Sequence, residues 1–316
     1  MRAAVVGSFV VDLMARTPHL PEPGETVKGS MFQIGAGGKG LNQAVAAHKA
    51  GCALVFSTKL GSDNFAQIAL DALEQEGMGT EYVFHTSDAP TATALIAVDE
   101  HTSQNSIVVV LGACDTFDDT DIDRLDAALE GCEYLLLQLE INPDAVEKLV
   151  RLAAKKGIRV ILNPAPVQEI APCVYQSLYL ITPNEVEARI LTGIPCETQA
   201  DCRSVAQAFF KKGVRNVVLT LGGKGAYVND GSRERFLPCY EMDIVDTTGA
   251  GDAFNGGLLA GLSRGMDIMD AAALASVVAN LSVTRLGTSC AMPSASEIAE
   301  FIEQNGIRFG EESGRL

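Results

Sequence analysis

The chain has 316 residues, 47% of them apolar, which suits one large α/β domain or two modest ones around a sizeable core. Its formal net charge of −16 excludes a non-specific nucleic-acid binder, which needs basic surface, so an anionic ligand would have to be held by local cations and backbone donors. Eight cysteines form no Cys-x-x-Cys and four histidines show no metal-ligand spacing, which leaves a zinc centre or a serine-type triad without support and points to free thiols in a reducing compartment.

Ala3–Val6 reads as a buried strand. Met1-Arg2 leads directly into it without a leader pattern, and no apolar run reaches the roughly 18 residues of a membrane span, so a cytoplasmic protein with no membrane partner is expected. From Phe9 to Ala15 the pattern is extended; Pro18, Pro21 and Pro23 interrupt it, and Thr26–Ile34 is extended again. Gly35-Ala36-Gly37-Gly38-Lys39-Gly40 then opens a helix that runs to Ala50 and is stopped by Gly51. The letters match Gly-x-Gly-x-x-Gly, but a dinucleotide turn belongs after the first strand, and Gly40 stands where a Walker loop needs Ser or Thr. Lys39 between glycines reads either as a charge held close to a small polar ligand or as a solvated loop lysine.

Leu54–Thr58 reads as a strand and Phe65–Glu76 as an amphipathic helix closed by Gly77. Thr93–Val98 and Ser106–Val110 are extended with no helix between them, which suits an antiparallel pair in the same small sheet as residues 9–34. Beyond residue 118 the reading is regular. A helix over Thr120–Leu129 leads to a strand at Tyr134–Leu137. The next helix has Asn142 as cap, Pro143 first and Gly157 after its end. Strands follow at Arg159–Leu162 and Leu178–Ile181, then a helix opening at Thr182-Pro183-Asn184-Glu185-Val186-Glu187, a helix around Ser204–Lys212 and a strand at Asn216–Thr220. This alternation predicts an α/β fold, a mostly parallel sheet with helices on both faces, plus a small β-sheet lid. Polar residues cluster just past strand ends, at 140, 163, 184 and 220, where open α/β sheets place ligands. Two helices after residue 250 and one at Glu297–Glu303 complete the chain, and 309–316 reads as a flexible tail.

The stretch from Ile244 to Gly257, Ile-Val-Asp-Thr-Thr-Gly-Ala-Gly-Asp-Ala-Phe-Asn-Gly-Gly, carries the chemistry. It reads as a loop running into a helix N-terminus. Gly249 and Gly251 let backbone N–H groups turn toward one point, and with the positive end of the helix dipole they make an anion site. Asp252 beside an anion site suits a base that takes a proton from a hydroxyl attacking a phosphoryl group; it also suits an ordinary first-turn helix acid.

Taken together, Gly37-Gly38-Lys39-Gly40-Leu41-Asn42-Gln43-Ala44, Gln138-Leu139-Glu140, Asn163-Pro164-Ala165-Pro166, Thr182-Pro183-Asn184-Glu185-Val186-Glu187, Thr220-Leu221-Gly222 and Val245-Asp246-Thr247-Thr248-Gly249-Ala250-Gly251-Asp252-Ala253-Phe254 resemble the ribokinase family of sugar kinases in order and spacing. The similarity runs from about residue 3 to 304, and the pattern looks like ribokinase and deoxyribokinase. It implies one kinase domain over residues 1–308, with a lid formed by about 9–35 and 91–111. It implies transfer of the ATP γ-phosphoryl to the primary hydroxyl of a pentose, D-ribose or 2-deoxy-D-ribose. Asp252 would be the base, and the N–H groups of Gly249, Ala250 and Gly251 an anion hole. Asp12, Gly38, Lys39, Asn42 and Glu140 would hold the sugar. Asn184, Thr220, Gly222, Gly223, Gly225, Gly251 and Ser276 would line the nucleotide. Glu187, in the Asn-x-x-Glu element, would place magnesium through water. Asp246 and Thr248, with backbone near Ser282, Arg285, Gly287 and Ala291, match a monovalent-cation site, for which potassium is expected. In this family lids often pair into homodimers.

Val10 departs from the pattern. Ribokinases usually carry Asn there as a sugar contact, whereas deoxyribokinases are apolar. Valine cannot hydrogen-bond a hydroxyl, so the departure favours a less hydroxylated sugar; a re-packed pose with ribose preferred stays open. Also open are a kinase of another sugar or a nucleoside, and a catalytically silent sugar-binding protein. Singly, Asp12 suits a strand-end turn, Glu140 a helix-start acid and Asn184 a cap.

Overall fold

The computed structural model describes residues 1–102 and 104–310. In chain order the elements are β1 (Arg2–Val6), β2 (Val10–Thr17), β3 (Met31–Gly37), α1 (Lys39–Lys49), β4 (Ala53–Gly61), α2 (Asn64–Gln75), β5 (Val83–Thr86), β6 (Thr93–Asp99), β7 (Asn105–Val110), α3 (Asp119–Ala128), β8 (Cys132–Leu137), α4 (Pro143–Lys156), β9 (Arg159–Leu162), α5 (Pro172–Ser177), β10 (Leu178–Ile181), α6 (Glu185–Thr192), α7 (Gln199–Lys212), β11 (Asn216–Thr220), β12 (Ala226–Asn229), β13 (Glu234–Leu237), α8 (Ala250–Ser263), α9 (Ile268–Ser282) and α10 (Ala295–Gln304). Among the described residues, nine strands form one sheet in the order β13-β12-β11-β10-β9-β8-β1-β4-β5. It is parallel from β11 to β5, and β12 and β13 continue it antiparallel.

Alternation along β1 shows why both faces are covered. Ala3 and Val5 enter an apolar layer with α1, α8 and α9, while Ala4 and Val6 enter the opposite layer with α3, α4 and α7. α8 is buried along nearly its whole length, and its glycines allow that. A Cβ on Gly256 would stand 2.4 Å from Ala46 Cβ and 2.7 Å from the Gln43 carbonyl oxygen, so glycine sets how closely α8 crosses α1. Gly256→Ala is expected to destabilise the fold by about 1–3 kcal/mol, the usual cost of overpacking, read as a lower urea midpoint at unchanged m-value. An unchanged midpoint would show that the two helices separate freely.

The small sheet has the order β3-β2-β6-β7. β2 pairs antiparallel with β3 and parallel with β6, and β6 pairs antiparallel with β7, as expected for Thr93–Val98 and Ser106–Val110. One outer face is apolar and open: Phe32 is 64% exposed and Val108 57%, with Ile34, Leu95 and Val110 exposed on the same face.

Several boundaries differ from the sequence reading. Residues 26–30 are not strand, and β3 begins at Met31 and continues through Gly37. Gly35 and Gly37 therefore sit in register with Asp12 and Val10, and only Gly38 has a left-handed φ, 93°. Asn142 precedes α4 without capping it; its side chain instead binds the Phe117 N–H and carbonyl, both at 3.0 Å, fastening α4 to the loop before α3. α8 opens at Ala250, placing Asp252 inside its first turn. The sequence reading passed over β5, α5, β12 and β13. The expected flexible tail, 309–316, lies largely outside the described residues; of its first two residues, Gly310 donates its N–H to Asp270 Oδ2 at 2.6 Å.

Candidate active site

The two glycine-rich helix starts have different fates. At α1 the leading N–H groups are already used. Lys39 N–H donates to Glu140 Oε2 at 2.9 Å, Gly40 N–H to Ser8 Oγ at 3.3 Å and Leu41 N–H to the Ser8 carbonyl at 2.9 Å. Ser8 Oγ–H itself donates to Glu140 Oε2. Glu140, from the end of β8, thus caps a helix that has no side-chain cap of its own. This is the physical reason the Gly-x-Gly-x-x-Gly letters make no phosphate cradle. At α8 the cap is Gly249 at φ 77°, with no side-chain cap bond. The Ala250 N–H closes a turn onto the Thr247 carbonyl at 3.2 Å, so of the three donors expected to converge, Ala250 is already engaged.

Asp252 is 6% exposed and held from both sides. Asn42 Nδ2 donates to Oδ2 at 3.0 Å and Gln43 Nε2 to Oδ1 at 2.9 Å. A polar network behind it crosses the strand ends. Gln43 Nε2 also donates to Asn163 Oδ1 at 2.9 Å, Gln138 Nε2 donates to Gln43 Oε1 at 2.7 Å, and Asn163 Nδ2 donates to the Thr182 carbonyl at 3.1 Å. Thr182 Oγ–H donates to Asn255 Oδ1 at 2.6 Å, and Asn255 Nδ2 donates to the Gly251 carbonyl at 2.8 Å. The network fixes the carboxylate and the turn before it as one unit. Gln43, Gln138, Asn163, Thr182 and Asn255 have no site role in the sequence reading. Asn163 had a signal, as one of the polar residues past strand ends.

A cavity of about 470 Å³ opens beside this unit. Its lining includes Lys39, Asn184, Glu187, Thr220, Gly222, Gly225, Gly249, Ala250, Gly251, Asp252 and Ser276, with Thr247, Cys239, Ala279 and Asn280. Gly223 lies one residue outside that lining. Asn184 is indeed a cap: its Oδ1 accepts the Glu187 N–H at 2.8 Å, and Glu187 Oε2 accepts the Asn184 N–H at 2.9 Å. That capping box presents both side chains to the cavity.

Asp12, Gly38, Asn42 and Glu140 lie beyond Lys39 and Asp252, toward the small sheet. A Cβ on Gly37 would stand 2.3 Å from Asp12 Oδ2, so glycine there makes room for the carboxylate. Val10 is 3% exposed and packs with Ala92, Ala94 and Cys114, an apolar wall whose one side-chain donor, the Cys114 thiol, is turned to backbone carbonyls. Carboxylates dominate this region. Burial, with the charge of Glu140 adding, raises the Asp12 carboxyl to about 6. Burial also pushes Glu140 and Glu187 upward against the pull of Lys39. The charge of Asp252 foremost, then those of Glu140 and Glu187, hold Lys39 firmly protonated.

Asp246 lies behind the Gly249–Gly251 turn. Its Oδ1 accepts the Thr248 N–H at 2.9 Å and its Oδ2 the Gly287 N–H at 3.0 Å, while the Val283 carbonyl accepts the Val245 and Asp246 N–H groups at 2.8 and 3.1 Å. Ser282 Oγ turns to the Ala279 carbonyl at 2.8 Å and the Arg285 guanidinium pairs with Glu297, so near these two residues only backbone faces the loop. The Ala291 N–H donates to the Thr288 carbonyl at 3.0 Å.

A buried carboxylate at a helix start, between a cavity and a carboxylate-lined region beside the small sheet, is the arrangement of a phosphotransferase acting on an alcohol. The pfkB family carbohydrate kinase model matches residues 2–295, and the chain belongs to that family. It is a kinase that phosphorylates a sugar hydroxyl. Among relatives, a ribokinase of Haemophilus influenzae is 36% identical, covering 95% of this chain and 97% of its own, and a deoxyribokinase of Salmonella typhi is 37% identical, covering 96% and 100%. The structure of Arabidopsis thaliana ribokinase complexed with ribose and ATP superposes with a TM-score of 0.88 at 29% identity, covering 95% of this chain and 98% of that one.

Proposed function

We propose that this kinase transfers the γ-phosphoryl of ATP to the 5-hydroxyl of a pentose, ribose or 2-deoxyribose, with Asp252 as general base. The observation that carries this reading is the grip of Asn42 and Gln43 on Asp252, which aims the carboxylate at the point where the cavity meets the lid-side residues. ATP would lie in the cavity, along Asn184, Thr220, Gly222, Gly225 and Ser276. The sugar would lie against Asp12, Gly38, Lys39, Asn42 and Glu140. Asp252 takes the proton of the 5-hydroxyl as the new P–O bond forms, and the bond to ADP breaks in line. The N–H groups of Gly249 and Gly251, joined by Ala250 once its bond to Thr247 is released, stabilise the charge on the transferred group.

The donors suit the two expected cations. One carboxylate, Glu187, beside a phosphate site fits magnesium, which keeps most of its waters and is shared with the nucleotide. The Asp246 carboxylate and the carbonyls around Gly287 fit a monovalent cation, potassium, supplying positive charge behind the anion-hole turn. The open apolar face of the small sheet fits a second copy of the chain, giving a homodimer through the lid.

A coupled ADP-release assay over a panel of sugars and nucleosides, with the product located by NMR, tests the reading. Phosphorylation at the 5-position of a pentose is expected; turnover on nucleosides alone, or none, would overturn it. The ribokinase and deoxyribokinase relatives differ by only one percentage point of identity, 36% against 37%, so Val10 carries the sugar argument. Leaving one hydroxyl unpaired against its apolar wall costs about 1–3 kcal/mol. The 2-deoxy sugar is therefore expected to gain in kcat/KM relative to ribose, and Val10→Asn to shift the ratio toward ribose by roughly tenfold. A ratio unmoved by the substitution would mean the 2-hydroxyl points elsewhere.

The raised carboxyl of Asp12 gives a pH signature. Below about 6 it holds a proton in the free enzyme and loses acceptor capacity for sugar hydroxyls. kcat/KM for the sugar is expected to fall as pH drops through about 6. Asp12→Asn should lack that limb and show a low, flat profile there. A limb that persists in the variant would assign it to another group.

A further inference from the structure

A side-chain hydrogen bond joins the lid to the loop behind the anion-hole turn. Ser289 Oγ–H donates to the Ala36 carbonyl at 3.0 Å, across 253 residues of sequence. Ala36 lies in β3 opposite Val11, next to Gly37, whose missing side chain makes room for the Asp12 carboxylate. Ser289 begins a short 3-10 turn, Ser289–Ala291. The two residues before it reach the phosphoryl side. Gly287 N–H donates to Asp246 Oδ2 at 3.0 Å, and Thr288 packs on Gly249, its Cα 3.4 Å from where a Cβ would stand. Gly249 is the cap of α8, three residues before Asp252. The contacts thus run without a gap from Asp12, through β3 and Ser289, to the Gly249–Gly251 turn.

We propose that Ser289 is a positioning residue: its bond to Ala36 couples closure of the lid over the sugar to placement of the Gly249–Gly251 turn for phosphoryl transfer. Lids exclude water and complete a constellation only if closure is communicated to the reacting groups. Here the communicating element is a hydroxyl at the root of the lid and not at its tip. The inference rests on the kinase reading above, because it assigns the two ends of the path to sugar and phosphoryl group.

The test uses the full chain with Ser289→Ala and Ser289→Thr. For each, kcat and KM for the sugar are measured, with the ADP Kd by calorimetry and the ratio of sugar phosphate formed to ATP consumed. Ser289→Ala is expected to lower kcat about tenfold, to leave the ADP Kd within about twofold, and to lower the product ratio as ATP is lost to water. Ser289→Thr keeps the hydroxyl and should return kcat to within about threefold of the parent. Unchanged kcat in the alanine variant overturns the proposal. So does an equal loss of ADP affinity, which would show general loosening of the loop, or a threonine variant as impaired as alanine. A parent chain that phosphorylates no pentose would instead sink the kinase reading, a separate result from an active parent with an indifferent Ser289.

Discussion

Asp252→Asn is expected to lower kcat by roughly 10²–10⁴-fold while leaving nucleotide affinity near that of the parent. The substitution keeps size and shape but removes the carboxylate proposed to accept the hydroxyl proton. The surroundings add a check. Asp252 receives one hydrogen bond on each oxygen, from Asn42 Nδ2 and Gln43 Nε2. An amide can accept only one of these, because its own NH₂ must face the other donor. Gln43 cannot simply turn over, since its Nε2 also donates to Asn163 and its Oε1 accepts from Gln138. Asn42 can, because its buried Oδ1 has no hydrogen-bond partner among the described residues, so it turns over to accept from the new NH₂, and stability read from the urea midpoint should change by no more than about 1 kcal/mol. A kcat loss with the ADP Kd preserved identifies the base, because misfolding would weaken ADP binding in step. Turnover within tenfold of the parent would mean the proton leaves by another route, and Glu140 or Asp12 would become the group to test.

How far the sequence carried the structure depends on whether neighbours in space were also neighbours in the chain. The β-α-β alternation from residue 118 was legible, because each helix buries its apolar side against strands close to it in sequence. Asp252 drew notice because a helix start has a local signature, and Asn184 suits a cap for the same reason, whereas the site roles of Asn184 and Glu187 came only from the family resemblance. β12 and β13 were missed because Ala226–Asn229 and Glu234–Leu237 are short and follow β11 as antiparallel strands with no helix between, outside the β-α-β alternation that marked the equally short β9 and β10. The network behind Asp252 was missed for a different reason. Gln43, Gln138, Asn163 and Asn255 come from α1, the end of β8, the end of β9 and α8, and no spacing in the chain shows that their amides meet. Asn142 carries a lesson in the other direction. Its position before Pro143 predicts a cap, yet its amide satisfies the Phe117 backbone, a tertiary demand that outweighed the local one.

Lys39→Met is expected to lower kcat by about 10²-fold or more and to move the acidic limb of the kcat/KM profile to higher pH. Among the described residues, Lys39 is the only basic side chain lining the cavity, and its charge is felt by Asp252, Glu140 and Glu187. Transfer would bring the phosphates of ATP into this acidic surrounding, where each added negative charge is opposed by those carboxylates. One fixed cation at the meeting point offsets that opposition most when charge shifts toward the sugar oxygen, so its loss should appear in kcat more than in KM. The direction of the pH effect follows from the same charge. Burial already pushes Glu140 and Glu187 upward, and Lys39 helps draw both back, foremost for Glu140 and after the Asn184 N–H for Glu187. Without it both hold protons to higher pH, and the Glu140 carboxylate that caps α1, and on the proposed reading faces the sugar, is lost earlier as pH falls. Lys39→Arg separates charge from shape. It retains the cation on a longer, planar group, so the acidic limb should stay near that of the parent even where kcat drops. If both variants moved the limb equally, the effect would come from repacking around residue 39 and not from its charge. If neither moved it while kcat fell, Lys39 would contact the phosphoryl group without tuning the carboxylates, and the acid limb would belong to Asp12 alone.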